Sequence, residues 1–389
     1  MKAQITFFPV DNGDMTLLQL ADDRQTSLLI DCRIRGSADD PNDTTSDVAS
    51  ALRKRIGVDA NNRPFMDAML LTHPDEDHCL GLREHFWLGP IADYPDDSKD
   101  QSTKRIIIGE LWSSPMVFRR ASSKLTFCVD AKAFNTEARR RVKVNREKRF
   151  SVSDGDRILI LGEDKNGKTD DLGPILVKQG EQFQGINQFG QPFLSSQLLA
   201  PFGEQDEAGE EELSKNDSSV IINFHIRESH LNSNVSRFLV GGDAGVCIWE
   251  RMWRTYTQDD LRYDLLLAPH HCSWRSLSHD SWSEKGEQAK LSEDARAALS
   301  QANEDAFIVS SSKPVKSDDS DPPCVRAKRE YRKILGSSGI FRCTGEEPTR
   351  AKPEPMKFEA TSAGFKLAIA APAAAIAASS SPPRAGLGD

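Results

Sequence analysis

Leu71-Thr72-His73-Pro74-Asp75-Glu76-Asp77-His78 follows the short apolar run Asp67-Ala68-Met69-Leu70-Leu71. His73, Asp75, Asp77 and His78 put four side chains able to bind a metal within six positions. A helix would scatter them around its circumference, and Pro74 disfavours helical backbone at the residue before it. A loop at a strand end can turn several of them inward together. Imidazole and carboxylate are the ligands of catalytic zinc, manganese and iron sites. Two neighbouring ions would use His73 and Asp75 on one, and Asp77 and His78 on the other.

Two later segments repeat the pattern of strand followed by ligands. Phe238-Leu239-Val240-Gly241-Gly242-Asp243 delivers a carboxylate beside glycines, which permit close backbone approach. Leu265-Leu266-Leu267-Ala268-Pro269-His270-His271 delivers a histidine pair, so four of the eight histidines lie at two strand ends. The flanking sequence predicts more strands. Ile5–Val10, Met15–Leu20 and Ser27–Asp31 are β-rich runs separated by Asp11-Asn12-Gly13-Asp14 and Ala21-Asp22-Asp23-Arg24, both turn chemistry. Arg105–Gly109, Ser219–Phe224 and Ala306–Ser311 add core strands, and Phe358–Ile369 a closing hairpin. Val48, Leu52 and Ile56 share one face of a short helix over 47–56. Short buried strands alternating with helices and polar loops predict an α/β or layered α+β fold.

The chain has 389 residues, with 50 Lys+Arg against 59 Asp+Glu, a net charge of −9. An acidic chain is no general polyanion binder; any nucleic-acid contact needs a local basic patch. Seven cysteines without a CxxC pair argue against a zinc ribbon or a disulfide scaffold and fit a reducing compartment. Neither a signal peptide nor a run of about 18 apolar residues is evident, so a cytoplasmic protein with no membrane partner is expected.

The ordered motifs HxDxDH, GGD and a strand ending in HH resemble the metallo-β-lactamase superfamily. The likeness is greatest to the ComEC-type hydrolase domain, in free-standing form. Val10-Asp11-Asn12-Gly13-Asp14 is similar to that family's DVGxGD segment, one residue shorter, and Leu28-Leu29-Ile30-Asp31 to its LLID strand. Leu71–His78 with Gly81-Leu82 fits LTHxDxDHxxGL; Asn216–Val220 and Tyr331–Thr344 are similar to its later NxxS and YxxI…T segments. The likeness covers roughly 1–90 and 215–345.

The resemblance implies a four-layer αβ/βα sandwich over 1–369, with 91–215 largely an insertion setting substrate or protein-partner choice, and an Ala/Ser/Pro tail over 370–389. It implies one or two divalent metals held by His73, Asp75, Asp77 and His78, with Asp243 bridging. One of His270 and His271 is the last ligand, His270 preferred as the first after the strand. Asp31 would orient a ligand histidine. Asp75 stands where the superfamily commonly has histidine, so manganese or magnesium competes with zinc. A further histidine usual between the first motif and the bridging Asp has no counterpart: His225 sits mid-strand and His230 in a polar loop. The implied chemistry is hydrolysis by a metal-activated hydroxide that Asp77 orients, with phosphodiesters, nucleotides or nucleic acid as substrates. Another ester or amide, or a degenerate binding module in a multi-protein or defence system, are the alternatives.

Other features have bland readings. Arg139, Arg140, Arg141, Lys143 and Arg146 offer a phosphate contact, although a solvated helix face is the commoner meaning of such a run. The acidic run 204–212 reads as an exposed loop. Cys79 and Cys272 read as packing residues beside the ligands, Trp249 and Trp253 as core, and His85 and His279 as structural or exposed.

Overall fold

Strands here carry apolar residues on both faces, so each sheet needs cover on both sides. In the computed structural model, residues 2–37, 44–115, 127–164, 167–187, 189–202, 216–229 and 234–368 are described. The first sheet contains β1 (Gln4–Phe7), β2 (Thr16–Gln19), β3 (Ser27–Ile30), β4 (Pro64–Leu71), β5 (Ile106–Ser113), β6 (Arg157–Leu161) and β7 (Leu176–Val177). The second runs β8 (Gln182–Phe183), β9 (Leu194–Ala200), β10 (Ile221–Arg227), β11 (Val235–Val240), β12 (Tyr263–Leu267), β13 (Ala302–Ser310) and β14 (Ile340–Cys343), in that spatial order. The hairpin of β15 (Met356–Thr361) and β16 (Gly364–Leu367) returns to the first sheet and pairs with β1.

Both sheets are mixed. In the first, β1 to β3 are antiparallel and β3 to β7 parallel. In the second, β9 to β11 are antiparallel and β11 to β14 parallel. Alternation along the strands sends side chains to opposite faces. Ala68 and Leu70 of β4 meet Phe238, Val240, Leu265 and Leu267 of the second sheet in one buried cluster between the sheets. Met69 and Leu71 face outward, in a second cluster with Leu52 of α1 (Val48–Arg53) and Cys79 of the one-turn α2 (Glu76–Cys79). Phe134 and Ala138 of α4 (Val129–Glu147) complete it, and α3 (Leu82–His85) adds Leu82. On the far side, Leu239 and Leu266 pack under Trp249 and Met252 of α5 (Val246–Thr255). Ala295, Ala298 and Leu299 of α6 (Glu293–Leu299) join them, as do Ala327, Tyr331 and Leu335 of α7 (Val325–Leu335). The layers are therefore helix, sheet, sheet, helix, the expected sandwich.

The 91–215 stretch is not simply inserted. It supplies β5, which pairs with central β4 from Phe65↔Ile107 to Leu71↔Ser113, as well as α4, β6 and β9. The polar segments around these elements hid them, since only Arg105–Gly109 reads as a strand by composition. The 204–212 run, His230, Ile369 and the 370–389 tail lie outside the described residues. No described helix is long and apolar enough to cross a membrane.

Candidate metal centre

The carboxyl ends of parallel strands β3, β4, β11 and β12 open onto one edge, where parallel sheets commonly place ligands. After β4 the chain runs through His73 to Asp75, whose carboxylate accepts from the Glu76 N–H at 3.1 Å and caps α2. The loop expected over 72–78 thus includes the start of a single helical turn, beyond the reach of the Pro74 restriction. That turn presents Asp77 and His78. After β11, Gly242 has φ 49°, and a Cβ there would lie 2.9 Å from the Ser219 Cβ and Oγ. Glycine permits this approach, and Ser219 Oγ accepts from the Asp243 N–H at 3.1 Å. After β12, His270, His271 and Cys272 are left-handed, with φ 51°, 53° and 69°. Three consecutive residues with a Cβ in that region are strained, a condition that clusters at functional sites.

These turns bring four imidazoles onto one carboxylate. His78 Nε2 is 3.1 Å and His271 Nε2 3.5 Å from Asp243 Oδ1; His270 Nε2 is 3.7 Å and His73 Nε2 3.8 Å from Oδ2. Asp77 reaches His271 Nε2 at 3.3 Å and His78 Nε2 at 4.0 Å. His73, His78, His271 and Asp243 are buried, the His270 side chain is 16% exposed, and that of Asp77 is 35% exposed.

Asp31, expected to orient a ligand histidine, lies beside His78. Its buried carboxylate accepts from the Thr72 N–H at 2.8 Å and hydroxyl at 2.7 Å and lies 2.8 Å from His78 Nδ1, fixing that ring with Nε2 toward Asp243. Sequence reasoning missed Asp14 as a member of this cluster. Its carboxylate is 3.5 Å from His271 Nδ1 and 3.9 Å from His78 Nδ1. The only signal was the turn motif Val10–Asp14. A Cβ on Gly13 would meet the Arg33 side chain at 2.2 Å and the Asp77 carbonyl at 2.6 Å, so glycine lets this turn lie against the ligand loop. The Asp14 N–H donates to that same carbonyl at 3.1 Å.

Asp14, His78, Asp243 and His271 each offer a ligand atom, and all four atoms lie within 4.8 Å of one another. A buried Asp/His cluster of this kind can bind a metal. The polar accounting supports the fit. His73 Nε2, His78 Nε2, both His271 nitrogens, Asp14 Oδ1 and Asp243 Oδ1 are buried without a hydrogen-bond partner. Such atoms cost free energy unless something satisfies them, and a cation does so for imidazole and carboxylate alike.

Protonation reflects the crowding. Burial, with His78 alongside, pushes His73 down to about 3. Burial also disfavours charge on His271, but Asp243 and Asp14 outweigh it and hold this ring up at about 10. His78 is likewise raised, burial being overcome by Asp243 and Asp31. Burial opposes ionisation of Asp77, yet His271 and His78 hold its carboxyl well below the usual range.

The remaining expectations separate. Arg141 is buried: it binds Glu137 at 2.7 Å and the carbonyls of Ile108, Gly109 and Arg157, so its guanidinium cannot reach a phosphate. Arg140 is held by Glu137 and Asp156. Exposed Lys143 and Arg146 lie at 3.7 Å from Glu147 and 2.6 Å from Asp171. Arg139 lies on the same helix. His225 pairs across the strands with Arg237, His279 lies on the surface 3.0 Å from Glu250, and His85 is buried. Trp249 and Trp274 are fully buried and Trp253 packs partly buried against the same cluster.

The chain matches no protein-family model and no curated protein. Among solved structures it is similar to the metallo-β-lactamase MIM-1 of Novosphingobium pentaromativorans, at 10% identity and a TM-score of 0.28. That alignment covers 76% of this chain and 86% of the other.

Proposed function

We propose that this chain is a metal-dependent hydrolase of the metallo-β-lactamase kind, ComEC-like in its motifs, that cleaves phosphodiester bonds in nucleotides or nucleic acid. The observation that carries the reading is the convergence of four histidine Nε2 atoms on Asp243, with buried lone pairs left unsatisfied. His73, Asp75, Asp77, His78, Asp243, His270 and His271 would hold one or two divalent ions, zinc or manganese, with magnesium a harder alternative. Such an ion supplies Lewis acidity and activates water near neutral pH.

The chain's own residues divide the remaining work. Asp31 fixes the His78 ring through Nδ1, and Asp14 faces the Nδ1 side of His271. Asp77, ionised and partly exposed, can accept a hydrogen bond from an entering water and orient it. The motif likeness favours a phosphodiester. Arg140 and Arg141 serve structure, which leaves Lys143, Arg146 and Arg139 of the basic helix as candidate phosphate contacts. Partner choice through the polar segments within 91–215 and a cytoplasmic location belong to the same proposal; all seven cysteines are free of disulfides.

The test is hydrolysis of a small phosphodiester and of single- and double-stranded DNA and RNA, in zinc, manganese and magnesium in turn. Metal-dependent cleavage is expected, falling at least about 100-fold in Asp77→Ala. Cleavage of carboxylic esters or lactones alone would move the substrate class. Inert protein that takes up no metal would leave the binding-module reading.

A further inference from the structure

Cys79 directly follows His78 in α2, and its sulfur lies 3.6 Å from that of Cys128. The two residues are 49 positions apart, so the fold brings them together. Cys79 is buried and its Sγ lies 3.0 Å from the Asp75 carbonyl. Cys128 is only partly buried and caps the 19-residue helix α4, its sulfur accepting from the Ala131 N–H at 3.3 Å. A sulfur at a helix N-terminus is favoured as thiolate. Here the contact with Cys79 and the Ala131 and Asp130 N–H groups outweigh burial and bring Cys128 down to about 6. The pair therefore combines a partly buried sulfur at a helix N-terminus with a buried partner thiol in contact with it, the arrangement of a thiol poised beside its resolving cysteine.

We infer that Cys128 and Cys79 form an oxidisable pair whose disulfide shifts the ligand loop of the metal centre. The oxidant class is a peroxide. The Cys128 thiolate attacks one peroxide oxygen, the O–O bond breaks, hydroxide leaves, and Cys128 becomes a sulfenic acid. The Cys79 sulfur then displaces the sulfenic oxygen; its proton leaves in the water released, and the S–S bond forms. Two electrons pass from the two sulfurs to the peroxide. A disulfide needs the sulfurs at about 2.05 Å. Closure from 3.6 Å draws Cys79 and the start of α4 together. Asp77 and His78 share a single helical turn with Cys79, so they follow it. Displacements near 1 Å are enough to impair a catalytic constellation. The disulfide itself is independent of the proposed hydrolase function; its effect on the loop rests on the metal-centre reading.

The experiment uses the full reduced chain, treated with hydrogen peroxide near stoichiometry, alkylated, digested and mapped by mass spectrometry. A linked Cys79–Cys128 peptide is expected, reversed by dithiothreitol and absent from Cys128→Ser. Peroxide-oxidised Cys128 with Cys79 still alkylatable, or oxidation confined to exposed Cys247, would overturn the pairing. Zinc affinity is measured on the reduced and oxidised forms. A fall of at least about tenfold that the reductant reverses supports the coupling to the loop. A linked peptide with unchanged zinc affinity overturns the coupling. Absence of zinc binding by the reduced form also overturns it, and identifies the metal-centre reading as the failure.

Discussion

Among the described residues, the ionisable side chains around α4 and those around Asp243 follow opposite plans. Around α4, Arg141 gives its guanidinium to Glu137 and three backbone carbonyls, while Arg140 spans Glu137 and Asp156. Around Asp243, four imidazoles approach, with Asp77 beside two of them, but buried nitrogens and oxygens remain without donors or acceptors. The first cluster is closed and its charges hold the helix on the sheet. The second keeps buried polar atoms that no described side chain satisfies. Burial and charge are common to both; the unsatisfied atoms distinguish a ligand site from structural ion pairing.

Breaking the closed cluster should have the largest effect on folding. Glu137→Ala leaves Arg141 buried without its counter-charge, and a loss of about 3–5 kcal/mol is expected in denaturant unfolding. The loss should be the same with and without zinc, whereas a zinc-dependent loss would mean that the two clusters are not separate. The open cluster should respond to metal instead. Zinc at about 100 times its dissociation constant should stabilise the wild type by about 2.7 kcal/mol and leave Asp243→Asn unmoved, as read by thermal unfolding. Asp31→Asn should be milder, weakening zinc binding about 10- to 100-fold, because the ring it aligns through Nδ1 is lost as a preset ligand. Lys143→Ala and Arg146→Ala should each change stability by less than about 0.5 kcal/mol, since their ion pairs are exposed. A larger loss would make the outer face of α4 part of the closed cluster.

The contrast also explains what was legible in the sequence. His73, Asp77 and His78 are neighbours along the chain, and Asp243 and His270-His271 each follow an apolar strand; that these strand ends share an edge is what the family resemblance implies. Asp14 precedes its strand and reaches the site only because Gly13 lets the turn lie against Asp77, a contact between distant positions 14 and 77 that no local pattern encodes. Arg141 misled for the opposite reason. Within a basic run it looks solvated, yet Glu137 one turn earlier and the open carbonyls of Ile108 and Gly109 draw it inward. Cys79 reads in the sequence as a packing residue, and only the packing of α2 against α4 joins it to Cys128.

The account turns on whether the Asp243 cluster takes a divalent ion. Calorimetric titration of the metal-stripped full chain with zinc and with manganese, in buffers of different ionisation heat, asks this directly. One or two ions per chain are expected, with proton release. His271 holds its proton up to about pH 10 in the metal-free site, so a ligating metal must displace it, and affinity should rise with pH below that point. Asp243→Asn should abolish the binding. Binding that survives this substitution, or no binding of either metal to the wild type, would contradict the account.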